Sequence, residues 1–219
     1  MVSWFRVMFS RSFAFRVFLG FVAAALSLTI LGILTYGHFE YVIRFDEAIR
    51  VGAQRIEVPW LTNTMMVITR LGSTLALTAV GIAAMIAFIV LGWRRPAALF
   101  LLAMAGQIIL HHGFKILFAR QRPEPLLGYI LARSYRFPSG HAIASLTVYG
   151  ILSWLITRRI QSIALNTAIW VFATLLVMFI GFSRIYFGVH NATDVIAGFL
   201  AAFIWTASVA SGDRPRQRR

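Results

Sequence analysis

Six apolar runs, each near the length that crosses a bilayer, alternate with polar segments along the chain. The first covers residues 17–36. Residues 38–58 carry Glu40, Arg44, Asp46, Glu47, Arg50, Arg55 and Glu57, and are expected as an irregular aqueous or interfacial connection. Pro59 opens a second helix whose early part holds Arg70 and whose apolar part covers 71–93, before Arg94-Arg95-Pro96. The third run, 97–118, is interrupted only by Gln107, His111, His112 and Lys115 near its far end. A loop with three prolines, 119–138, leads to the fourth run, 139–157, which ends at Arg158-Arg159. The fifth run covers 163–182 and the sixth 189–210. The pattern predicts an all-α polytopic membrane protein, one domain over residues 1–219 with six transmembrane helices.

Composition agrees. Apolar residues make up 59% of the chain and its mean hydropathy is +0.78, values that exclude a soluble globule. With no cysteine, disulfides, thiolate metal sites and cysteine nucleophiles are excluded. A signal peptide competes for the N-terminal run, where Ala23-Ala24-Ala25 supplies small residues, but the run's length favours an uncleaved helix. The net charge of +14 suggests nucleic acid or anionic lipid until its distribution is considered. Six spans put both termini on one side. That side then holds eleven basic residues against Asp213, and the other holds ten against six acids. This asymmetry predicts cytoplasmic termini in an inner-membrane protein, so the basicity is a topology signal and no nucleic-acid partner is expected.

The same topology brings most of the chemistry to one membrane face. Lys115, the only lysine, closes span three, and Arg122 follows in the loop. Ser139-Gly140-His141 opens span four, Arg184 closes span five, and His190 and Asp194 open span six. Bare charge in hydrocarbon is costly, so these groups must be partnered or face water. If His190 begins a helix, Asp194 lies one turn later on the same face and can hold one ring nitrogen. A histidine held in this way is a general base, a nucleophile or a metal ligand. Three cations, a helix start with free N–H groups, a glycine that permits close approach and a serine hydroxyl together suit a phosphoryl group. Two histidines beside it supply a nucleophile and an acid. Metal binding by His141, His190 and Asp194 is the rival account, disfavoured by the surrounding cations.

These residues resemble the three-part signature of the type 2 phosphatidic acid phosphatase (PAP2) superfamily, which includes lipid phosphate phosphatases and vanadium haloperoxidases. The first part, Lys-x6-Arg-Pro, is Lys115 to Pro123; the second is Pro138-Ser139-Gly140-His141; the third, Ser-Arg-x5-His-x3-Asp, is Ser183 to Asp194. The resemblance implies a PAP2/haloperoxidase-like core and a role for each residue. His190 would attack phosphorus to form a phosphohistidine, Asp194 would orient it, and His141 would protonate the leaving group. Lys115, Arg122, Ser139, Gly140 and Arg184 would hold the phosphate oxygens, with no metal and no cofactor. The site would lie at the outer surface of the membrane, open sideways to lipid. Substrates within family range are phosphatidic acid, phosphatidylglycerol phosphate, undecaprenyl diphosphate and lipid A phosphate.

Other polar and aromatic positions are expected to do less. Arg120, Arg133 and Arg136 read as headgroup anchors or funnel charges, Phe137 and Tyr186 as interfacial aromatics, and Gly181, Gly188 and Gly198 as packing positions between helices. His111, one turn before Lys115, reads as an interhelical hydrogen-bonding histidine. Besides a phosphatase, two readings remain: a phosphotransferase that passes phosphoryl to another lipid, and a non-catalytic lipid-binding or transport protein. A haloperoxidase is disfavoured because those relatives are soluble.

Overall fold

The structure, a computed structural model, describes residues 11–37, 39–119 and 136–213. Among the described residues it contains α1 (Arg11–Tyr36), α2 (Glu40–Arg55), α3 (Pro59–Leu71), α4 (Thr74–Val90), α5 (Arg94–Phe118), α6 (Gly140–Thr157), α7 (Ile163–Tyr186) and α8 (Ala192–Gly212), and no strand. By length and apolar composition α1, α5, α6, α7 and α8 can each cross a bilayer. The helices α3 and α4, bent by 48° at a short break, supply the sixth crossing when taken as one broken span. Leu75, Val90 and Ile163 are among many large apolar side chains left outward, as expected where lipid is the solvent.

The bundle is arranged about α8. It packs along α1 and α6, and small residues allow the close approach. Gly20 lies against Ser208, and Gly212 against Phe13, so α1 and α8 run antiparallel. Gly106 of α5 lies against the Trp205 ring, whose indole N–H donates to the Ala103 carbonyl at 2.8 Å. Phe100, Leu110, Ile143, Ile151 and Val209 fill the core around this crossing.

Three expectations about elements are corrected. The charged segment after the first span, expected to be irregular, is helical over 40–55, which form α2. Glu40 pairs with Arg44 and Glu47 with Arg50 along the exposed surface, while Val42, Asp46 and Ala53 turn inward. The density of charge hid a helical period. The second span is broken rather than continuous, at Gly72-Ser73. The Ser73 hydroxyl accepts the Ala76 N–H at 3.3 Å to start α4, and the Tyr149 hydroxyl donates to the Leu71 carbonyl at 2.9 Å. Backbone groups freed at the break thereby keep partners. Finally, His190 does not begin a helix. Asn191 is the N-cap of α8, so His190 lies in the turn before it, and Asp194 is the third helical residue.

Candidate active site

Four helix ends meet where the α6 and α8 N-termini adjoin. The Ser139 N–H donates to the Asp194 carbonyl at 3.0 Å. Gly198, one turn further along α8, lies so close that an added Cβ would stand 3.0 Å from the Ser139 carbonyl oxygen. This contact places His141, in the first turn of α6, beside the turn that carries His190.

That turn is built tightly. α7 runs one turn beyond the predicted end of its span, so Ser183 and Arg184 are helical. The Arg184 carbonyl then accepts the N–H groups of both Val189 (3.1 Å) and His190 (3.2 Å). Gly188 supplies the φ of +64° the reversal needs. Gly181 and Gly198 do pack between elements, the former against Phe199 and Val195. The Arg184 guanidinium donates to the Thr69 hydroxyl at 2.7 Å, which ties α7 to the end of α3 just before the break.

His190 and Asp194 are both buried, 3% and 0% exposed. The His190 Nδ1 stands 3.8 Å from Asp194 Oδ2, an ion-pair separation longer than a hydrogen bond. Asp194 Oδ2 also accepts the Asn191 N–H at 2.9 Å and faces Arg136 Nε at 3.1 Å. Arg136, expected as a headgroup anchor, is instead buried beside this carboxylate. The reason is positional: it lies two residues before Pro138 and enters the core with Phe137, itself fully buried and not interfacial. Tyr186 is likewise buried, sharing a hydrogen bond with the Thr62 hydroxyl at 2.7 Å.

α5 contributes its C-terminal end. Lys115 lies in the last turn of α5, its Nζ 3.5 Å from Nε2 of His111 on the same helix. An added Cβ on Gly140 would meet that same Nε2 at 2.7 Å, and His111 is within electrostatic reach of His190. His111 therefore sits between the lysine and the α6 start, inside the cluster. Gly72, at the break between α3 and α4, allows the chain to pass the His141 ring, to which an added Cβ would approach within 3.0 Å. The Ser139 hydroxyl is buried with no hydrogen-bond partner among the described residues, beside the open N–H groups of α6. Of the sequence candidates, Lys115, Ser139, Gly140, His141, Arg184, His190 and Asp194 thus come to one end of the bundle. Arg122, with Arg120, Arg133 and Pro123, lies outside the described residues. Among those described, no three His, Asp or Glu side chains gather as a metal-ligand group.

Two residues of this region escaped the sequence reading. Arg136 could have been suspected from its place beside the Pro138 motif. Asp46, buried in α2 and bonded to Asn191 and Thr193, carried a fainter sign: at helical spacing it falls on the face of Val42 and Ala53.

Comparison with known proteins adds to this geometry. The profile of the PAP2 superfamily matches residues 96–217. Phosphatidylglycerophosphatase B of Bacillus subtilis (strain 168) is 32% identical over 167 residues, 74% of this chain and 80% of that protein. The crystal structure of a transmembrane PAP2 type phosphatidylglycerolphosphate phosphatase from Bacillus subtilis is similar with a TM-score of 0.73 at 27% identity. That likeness covers 91% of this chain and 98% of the other. Aquifex aeolicus LpxE shares the fold at 21% identity, with a TM-score of 0.55 over 75% of this chain and 93% of that one.

Proposed function

For a chain that belongs to the PAP2 superfamily and is a multi-pass membrane lipid phosphatase, we propose hydrolysis of a glycerophospholipid phosphomonoester of the phosphatidylglycerol phosphate type, through a phosphohistidine. The observation that carries the reading is the junction of the α6 and α8 N-termini, which sets His190 and Asp194 beside Ser139, Gly140 and His141. The name of the Bacillus relative favours this substrate over undecaprenyl diphosphate, phosphatidic acid and lipid A phosphate. An apolar groove of about 600 Å³ between α6, α7 and α8 supports a lipid tail. Leu146 and Ile196 line its near end, five residues along α6 from His141 and two along α8 from Asp194, and Trp154 and Phe203 line it further off.

The steps follow from the residues. Nδ1 of His190 faces Asp194, so Nε2 is the nucleophile. As the Nε2–P bond forms, the P–O ester bond breaks, and its electron pair leaves on the alkoxide, which takes a proton from His141. Water then gives a proton to His141 as its oxygen attacks phosphorus, and the P–N bond breaks back to His190. Asp194 offsets the imidazolium charge. Lys115, Arg122, Arg184, the Ser139 hydroxyl and the N–H groups at Gly140 hold the three equatorial oxygens. No metal takes part. The site lies on the outer side of the membrane, with both termini in the cytoplasm, as the arginine distribution implies.

The test is phosphate release in detergent across lipid monophosphates and polyprenyl diphosphates. Release should be fastest from the glycerophospholipid monoester and insensitive to EDTA. Strict metal dependence, or phosphate appearing only on a second lipid, would overturn the reading. The cysteine-free chain makes orientation testable by labelling single cysteines introduced at the loops.

A further inference from the structure

Asp46 is the buried acid of α2, 5% exposed in a helix otherwise rich in surface charge. Its carboxylate faces the start of α8, far along the chain. Oδ1 accepts the Thr193 backbone N–H at 2.9 Å. Oδ2 accepts the Thr193 hydroxyl at 2.7 Å and the Asn191 side-chain amide at 2.9 Å. The first N–H groups of a helix lack partners within it, and its positive end favours a nearby anion. Here a carboxylate from another helix meets both needs. Asp194, itself in this first turn, accepts the Asn191 N–H at 2.9 Å from within α8. The α8 start is thus held by Asp46 from another helix and by Asp194 from its own, with His190 immediately before it and its own N–H on Arg184.

We infer that Asp46 is a positioning residue for His190: it locks the α8 start so that the imidazole is aimed at phosphorus. This rests on the reading of His190 as nucleophile. Asp46 contributes nothing to the cations on α5 and α7, so its loss should slow the chemical step and leave phosphate affinity intact. A displacement near 1 Å in such a group is enough to cost up to about a hundredfold in rate.

The test compares the full-length protein in detergent with Asp46→Ala and with a double variant, Asp46→Asn plus Asn191→Asp. The double variant moves the negative charge across the same hydrogen bond and keeps an acceptor for the Thr193 N–H. In Asp46→Ala, kcat should fall about 10- to 100-fold. Inhibition by inorganic phosphate should stay within about threefold, and amide exchange at Thr193 should speed up about tenfold or more. The double variant should restore kcat to within about threefold of the parent protein. Unchanged kcat and exchange in Asp46→Ala would overturn the inference. So would parallel losses of kcat, phosphate inhibition and Tm, which would make Asp46 a general scaffold residue. A parent protein that releases no phosphate would instead sink the phosphatase reading, while exchange at Thr193 would still decide whether Asp46 holds the α8 start.

Discussion

α8 has a buried aspartate at each end, and the two are held in different ways. Asp194 stands in the first turn, where the helix dipole favours a negative charge, and meets the Asn191 N–H and Arg136 in addition. Asp213 caps the other end, where the dipole opposes it, and two arginines close on it, Arg95 from α5 and Arg158 just past the end of α6. Arg158 is braced over the Trp154 ring at 4.4 Å, and the neighbouring Arg159 over Trp93 at 4.4 Å. The Asp213 end is a clamp on three helix ends, and among the described residues no histidine lines it. The Asp194 end keeps three histidines and a lysine in attendance. A carboxylate already stabilised by its helix has capacity left to orient a neighbour. One at the unfavourable end is taken up by its two ion pairs.

The largest difference between the ends should be in activity. His190→Ala is expected to lower phosphate release by about 10⁴-fold or more, as removal of a nucleophile does. Asp213→Ala should leave kcat within about threefold, because nothing at that end touches the reacting atoms. Phosphate release by both variants in the same detergent checks this, and substantial turnover by His190→Ala would remove the site.

Stability should separate the ends in the same direction. Arg136→Met leaves Asp194 fully buried without its cation, a change expected to cost about 3–5 kcal/mol. Asp213→Ala releases two arginines whose side chains are already 31% and 33% exposed and can hydrate, at about 1 kcal/mol. Unfolding in mixed micelles measures both, and equal losses would erase the distinction.

The smallest effect tests whether close packing matters to chemistry at one end only. An alanine Cβ at Gly140 would meet His111 Nε2 at 2.7 Å, and one at Gly212 would meet the Phe13 ring at 2.8 Å. Each variant should lose about 1–3 kcal/mol from overpacking. Only Gly140→Ala should also lower kcat, since the atom it displaces belongs to the site. Steady-state kinetics beside thermal unfolding would tell them apart.

Much of this protein was legible before any coordinates. Apolar run length and the placement of arginines depend on the bilayer, a solvent of known thickness, so the membrane spans could be read locally. Lys115, Ser139, Gly140, His141, Arg184, His190 and Asp194 stood out because ionisable and glycine positions are conspicuous against an apolar background. The break at Gly72-Ser73 was less visible. Arg70, Ser73 and Thr74 interrupt the apolar run there, but a reading by run length passes over so short an interruption, and the neighbouring His141 ring and the Tyr149 hydroxyl hold the bent chain in place.

What the sequence by itself determined was therefore the helical membrane architecture and a set of polar residues assigned to one face. Tertiary structure alone decided which charges neutralise one another. Arg136 and Asp46 look like surface residues in the chain, and both are buried against the start of α8. The physical reason is range. Periodicity and helix-end signals act over a few residues, whereas the partner of a buried carboxylate is set by helix packing across the bundle, with 145 positions separating Asp46 from Asn191.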